Sequence, residues 1–258
     1  MSKFYNLFLL VLIFLQPATL HSETLKAGFF HLPPHQYINK KGELRGAVVS
    51  YFNLIAKKMA YDVEWVGPLP LTRLVHMMKN GMVDVYPLSL QYPDMDDFMY
   101  FANTPFYFAQ GVLAVSINNP LNKIESFGDI RNLKINWLDT VPASPFIKEN
   151  SKQLQIELTT PTKHIWKQLL SKLTLGRVDA VHDLNTFTLP FEAKRWSLDK
   201  KIKILLLPDK PTPILVTFSK LHPNGKQLIE QYNQIHETMK FGHDDYIELV
   251  NKELKQFE

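Results

Sequence analysis

The chain has nine histidines and no cysteine, so metal chemistry is the first possibility to weigh. His31 and His35 stand four apart, as two ligands on one helical turn would. Pro33-Pro34 lies between them, which rules out a shared helix face. His236-Glu237-Thr238-Met239-Lys240 opens like H-E-x-x-H and lacks the second histidine. His243-Asp244-Asp245 reads as a helix start, where acids complement the macrodipole. No set has metal-ligand spacing, so neither a metal nor another cofactor is expected. Without cysteine there is no thiolate zinc site, iron–sulfur cluster, thiol nucleophile or disulfide. No G-x-S-x-G elbow occurs, although a Ser-His-Asp triad assembled in space stays open. Glycine-rich phosphate and dinucleotide fingerprints are also missing.

A second group of residues falls where strand-like runs give way to loops, the place where α/β folds keep their ligand sites. It comprises Phe30, His31, Leu32 and His35, then Leu71 and Arg73, then Ser89, Leu90, Gln91 and Tyr92. Further on come Trp137, Leu138, Asp139 and Thr140, then His182 and Asp183. Apolar walls with a few polar groups are the usual make-up of a small-molecule pocket. Asp183 either holds a ligand ammonium by a charge-assisted hydrogen bond or caps a helix running from Leu184. Arg73 either meets a ligand or is an exposed residue of a first helical turn. Phe30 and Trp137 either wall the pocket or fill the core.

The elements that would position these residues alternate. Leu25 to Phe30 reads as a strand. Asn39-Lys40-Lys41-Gly42 reads as a hairpin turn between Gln36–Ile38 and Glu43–Leu44. Val48, Phe52, Ile55, Ala56 and Met59 form one helical stripe. Val63 to Val66 is a strand and Leu71 to Lys79 a helix, with Gly81 placed for a left-handed cap. Val83 to Leu88 is a buried strand, so the pairing is parallel with right-handed crossovers. The pattern G-x-V-D at Gly81 recurs at Gly176, after an apolar helix containing Ile165, Trp166, Leu169, Leu170 and Leu173. That recurrence points to two similar lobes. Gln110 to Ile117 and Lys203 to Pro213 read as the connections between them, with two final helices at about 223–239 and 244–256 packing back on the first lobe.

Composition agrees with a folded α/β protein: 45% hydrophobic and 21% charged residues in 258, with a net charge of +4. Basic residues are scattered, so no nucleic-acid surface is expected. Lys3, the apolar run Leu7 to Leu15 and the small Ser22 have the order of a secretory signal. Nine apolar residues fall short of the ~20 that a spanning helix needs. The expectation is a signal over 1–22, then export to a periplasm without lipidation and without stable membrane insertion.

Leu25-Lys26-Ala27-Gly28, Pro33-Pro34 and Gly42-x-Leu44-x-Gly46 before a helix resemble the start of family 3 extracellular solute-binding proteins. The resemblance continues through Lys79-Asn80-Gly81-Met82-Val83-Asp84 and Phe101-Ala102-Asn103-Thr104-Pro105-Phe106-Tyr107. It resumes at Gly176-Arg177-Val178-Asp179-Ala180-Val181 and in the two final helices. It implies a type II periplasmic binding fold, two α/β lobes joined by two crossovers and closing on a ligand. It also implies a receptor for polar amino acids that feeds an ABC importer. Members carry an arginine downstream of the first G-x-V-D aspartate that grips the ligand carboxylate. That register here holds Asp96, beside Met95 and Asp97. The family's aromatics before Pro33-Pro34 and at the second helix are replaced by Leu32 and Leu71, and its glycine-threonine loop by Asp139-Thr140 before Val141-Pro142. His182-Asp183 resembles the family's ammonium-binding acid.

The expected organisation is lobe 1 over 23–112 and 213–258, with lobe 2 over 113–212. The expected protein is a monomeric, non-enzymatic solute-binding protein. Its ligand would be small and polar, amino-acid-like or an amine or organic acid, held by Phe30, His35, Leu71, Arg73, Ser89, Gln91, Leu138, Thr140 and Asp183. An ABC permease partner or an orphan receptor role both fit. Two other readings stand beside it: a dehydratase-like enzyme with His35, His182, Asp183 and Asp139 as acid–base groups, or a degenerate protein-interaction module.

Overall fold

The computed structural model describes residues 23–255 except 92 and 163; the expected signal at 1–22 and the candidate cleft residue Tyr92 lie outside the described residues. Strand β1 (Glu23–Gly28) leads into a hairpin of β2 (Tyr37–Ile38) and β3 (Leu44–Arg45), then helix α1 (Ala47–Lys58) and β4 (Tyr61–Val66). Helix α2 (Leu71–Lys79) and β5 (Val85–Ser89) follow, then β6 (Met99–Phe101) and β7 (Tyr107–Ala109). β4 and β5 both pair with β1 in parallel, as strand–helix–strand alternation requires. The stripe Val48, Phe52, Ile55, Ala56 and Met59 is wholly buried and fixes α1 against this sheet.

A second sheet begins with β8 (Val112–Ser116). It continues through helix α3 (Phe127–Ile130), β9 (Lys134–Leu138), helix α4 (Pro145–Asn150) and β10 (Gln155–Thr159). Helix α5 (Ile165–Thr174), β11 (Ala180–Asp183), helix α6 (Thr188–Arg195) and β12 (Ile202–Leu206) complete it. The chain then returns along β13 (Thr212–Ser219) to the first sheet, and helices α7 (Gly225–Met239) and α8 (His243–Leu254) pack there. The first sheet runs β4-β1-β5-β13-β6, with β7 also on β13; the second runs β10-β9-β11-β8-β12. One core lies in the first sheet's lobe and two more flank the second sheet.

The runs read as connections are mostly strands. Val112–Ser116 and Ile202–Leu206 pair with each other inside the second sheet, because their apolar residues are needed in its core. The chain crosses between sheets only at Gln110-Gly111 and between Leu206 and Thr212.

The two G-x-V-D segments are structurally the same. Gly81 and Gly176 take φ of +66° and +68°, the left-handed cap that glycine permits. Asp84 Oδ2 then accepts from Lys26 N at 2.8 Å, and Asp179 Oδ2 from Lys134 N at 2.8 Å. Each aspartate thereby ties its strand to the neighbouring one. At the start of α8, Gly242 N–H donates to Asp245 at 2.8 Å, so the acids after His243 serve the helix end.

Candidate functional site

A cavity of ≈ 1220 Å³ lies between the two sheets' lobes, lined from both. Its first-lobe wall includes Phe30, Leu71, Tyr86, Leu88 and Met95; its second-lobe wall includes Leu138, Val141, Ile165 and Trp166. His35, Ser89, Gln91, Thr140, Asp183 and Asn185 supply polar atoms. Eight of the nine residues proposed from sequence therefore reach one cavity.

The exception is Arg73. Leu71 begins α2 and faces the cavity, and two residues further round a helix is about 200° away. Arg73 is exposed and lines nothing there. Strand alternation separates other neighbours in the same way. Leu138 faces the cavity while Trp137 sits in the core on the opposite side of β9. Asp183 faces the cavity while His182 turns away, its Nδ1 donating to Val112 O at 3.0 Å and its Nε2 accepting from Ser144 N at 3.2 Å. Asp139 is exposed, bonded to Thr160 and outside the cavity. Of the four acid–base groups of the enzyme reading, His35 and Asp183 reach the cavity while His182 and Asp139 do not. Asp96 is exposed as well, bonded by Gln91 Nε2 at 3.1 Å; the cavity receives Met95 from that turn.

Asp183 closes β11 and is 1% exposed. No helix starts at Leu184; α6 begins at Thr188, and a turn intervenes. Leu184 N donates to Asp183 Oδ1 at 2.7 Å and Asn185 Nδ2 to its Oδ2 at 3.0 Å. Burial nevertheless pushes the carboxyl up to about 7, because these neutral donors do not replace lost water. The amide oxygen of Asn185 is fixed by the backbone amides of Phe187 at 3.0 Å and Thr188 at 2.9 Å. His35 Nε2 lies 3.4 Å from that oxygen and must donate to it, so Nδ1 accepts from Tyr246 at 2.6 Å. A chain of polar contacts thus runs from Asp183 in the second lobe to Tyr246 in the first. His35 is wholly buried and neutral, pushed down to about 4 by desolvation.

Local folding explains why His35 is held so firmly. Helix α1 has glycine at its N-cap and no side-chain cap. Its first amides instead donate to the histidine loop: Ala47 N to Pro34 O at 3.1 Å and Val48 N to His35 O at 2.9 Å. Gly46 has φ of +134°, and a Cβ there would collide with the His35 carbonyl oxygen. Ser89 is buried, its hydroxyl donating to Leu90 O at 3.0 Å.

Asn185, Tyr107 and Trp166 were not among the residues expected at the site. Tyr107 closes the F-x-x-x-P-x-Y-like run already visible in the sequence, and Asn185 accepts from the backbone amide two residues on, as asparagines in turns do. Trp166 belongs to a helical stripe that equally describes core.

Two lobes, two crossings and one shared cavity define a hinged binding protein of the type II periplasmic fold. The chain belongs to the bacterial extracellular solute-binding proteins, family 3, matched over residues 27–258. No curated protein matches it. An ancestral arginine-binding protein bound to arginine superposes with a TM-score of 0.69 at 20% identity, covering 89% of this chain and 97% of that one. AbpA of Streptococcus pneumoniae, an amino acid ABC transporter substrate-binding protein bound to L-arginine, gives 0.71 at 17% identity, covering 91% and 95%. The periplasmic domain of B. pertussis BvgS gives 0.69 at 14% identity; this chain covers 43% of its length and 90% of itself is matched. These likenesses are of fold; the first two of these structures are of amino-acid-binding proteins. Among the described residues no helix is long and apolar enough to cross a membrane, and no three metal-ligating side chains are grouped.

Proposed function

We propose that this chain is an exported receptor that captures a small ligand between its lobes without transforming it. The observation that carries this reading is the single cavity walled by both lobes, with the buried carboxylate of Asp183 in it. A ligand touching both walls stabilises the closed arrangement by its differential affinity for it. Phe30, His35, Leu71, Ser89, Gln91, Leu138, Thr140 and Asp183 would contact the ligand. The ligand class covers amino-acid-like compounds, amines and organic acids. Delivery to an ABC permease is the family's usual use and is proposed here, with an orphan receptor as the alternative. The same reading includes a signal at 1–22, a periplasmic monomer, and lobes divided at 112/113 and 212/213.

A thermal-unfolding screen of the mature chain against amino acids, amines and organic acids tests it. A ligand at a hundredfold over its Kd adds about 2.7 kcal/mol. For a chain of this size that is a shift of roughly 5–10 °C. A library in which nothing shifts the midpoint would contradict the proposal.

A further inference from the structure

We infer, resting on that receptor reading, that the cleft takes a monocationic amine with a large apolar body and no carboxylate, its ammonium meeting Asp183 and its body lying on the aromatic walls. The charges of the cavity carry the argument. Its ionisable lining residues among those described are His31, His35, Lys148, Glu149 and Asp183. Lys148 and Glu149 are adjacent, exposed and opposite in sign, so they leave the rim near neutral. His31 is exposed at the mouth. His35 is buried with both ring nitrogens engaged. Among the described residues Asp183 is therefore the only deeply buried carboxyl group lining the cavity, and no arginine lines it. The zwitterion of an α-amino acid would bury its carboxylate with only the exposed Lys148 at the rim as a cation, which binding sites tolerate poorly. An amine lacking that group meets no such penalty.

Asp183 is built to receive a cation. A carboxylate offers about four acceptor sites; Leu184 N and Asn185 Nδ2 occupy two of them, and the Thr188 hydroxyl is a third polar neighbour, which leaves room for a ligand proton. Its raised pKa is the sign of a buried carboxyl without a counter-ion. Tyr107 lines the same cavity; its buried hydroxyl has Thr186 and Asp183 as polar neighbours and no well-formed hydrogen bond to either. That oxygen is a second acceptor for an ammonium proton. The remaining wall fixes the body of the ligand. Phe30 and Tyr86 sit edge to face at 6.3 Å on one lobe, and Trp166 faces the same space from the other. The volume of ≈ 1220 Å³ lies above the usual range of about 300–1,000 Å³ for drug-sized ligands, ample for a ring system with a side arm.

Calorimetric titration of the mature full chain with tryptamine and phenethylamine, against tryptophan and phenylalanine, tests this directly. Each amine differs from its amino acid by the carboxylate alone. The amines are expected to bind at least about tenfold tighter than their amino acids, and Asp183→Asn to remove most of that affinity. Because the wild-type comparison needs no variant, a misfolded Asp183→Asn protein would leave the test intact. Tyr107→Phe, expected to weaken both amines severalfold, serves as a second variant. Equal or tighter binding of the amino acids would overturn the inference and leave the receptor reading standing. So would binding of organic acids in the cleft with no binding of either amine. Absence of binding across amines, amino acids and organic acids together would overturn both.

Discussion

Asp183, Asn185, His35 and Tyr246 form the polar thread of this molecule, and each is fixed by groups that leave little choice. Asn185 cannot flip, because two backbone amides hold its oxygen. That fixes the His35 tautomer, which in turn requires Tyr246 to donate. His35→Phe keeps an aromatic ring against Tyr246, stacked at 5.8 Å, but leaves the buried hydroxyl unpaired. It should cost about 1–3 kcal/mol in urea unfolding. Titration gives a second expectation. His35 and His182 are pushed down to about 4 by burial, from an ordinary 6.5, and His236 is lowered in the same direction. Between those values the unfolded chain binds more protons, so their contribution makes stability rise with pH. Asp183, raised to about 7 from 3.8, binds its proton in the folded state and contributes the opposite slope. His31, lowered to about 4 as well, adds to the histidines and Glu192, also raised by burial, adds to Asp183; the histidines outweigh the two carboxyls. Thermal midpoints should therefore climb from pH 4 to 6.5, and climb more steeply in Asp183→Asn. A midpoint that falls over that window would contradict the assignment.

At the scale of elements, loops are held by the backbone of the helices they precede. Gly46→Ala forces a Cβ into the His35 carbonyl at a φ of +134°. It should cost more than about 1 kcal/mol and, by displacing His35, weaken ligand binding as well; denaturant unfolding and titration measure the two. The elements were legible in the sequence where a stripe or cap left one solution. The stripe from Val48 to Met59 and the glycines at 81 and 176 gave α1 and both helix-to-strand junctions. The repeated aspartates make the same bond to the neighbouring strand in both sheets, so the weak G-x-V-D signal reflects a real structural repeat. The strands at Val112 and Ile202 were read as connections because apolar runs near a crossing look alike whether or not they pair. The cavity lining was legible through its strand ends. Arg73 lies outside that lining because a position two residues into a helix points away from its start, and Asn185 was not legible because a turn, not a helix, follows Asp183. The charge reversal at Asp96 also means less than its register implies, since that side chain lies on the surface and Met95 enters the cavity.

At the scale of the whole molecule, the lobes meet in more places than the two crossings. Tyr37 of the hairpin packs on Phe191 of α6 at 5.2 Å, and Tyr107 lies 6.3 Å from Phe187. Tyr37 also donates to Glu253 of α8 at 2.7 Å, anchoring the hairpin to the first lobe. Phe191→Ala should therefore cost about 3–5 kcal/mol as a core truncation, while also loosening the lobe contact. Small-angle scattering should then show a more extended ligand-free particle than the wild type. An unchanged particle would place the lobe angle in the crossings alone. The central claim is that one ligand is held by both lobes at once. Hydrogen exchange with and without a stabilising ligand reads this most directly. Protection is expected together at residues 30–36 and 88–91 of the first lobe, and at 138–142 and 183–185 of the second. Protection confined to one lobe, or to the outer surface away from the cavity, would contradict it.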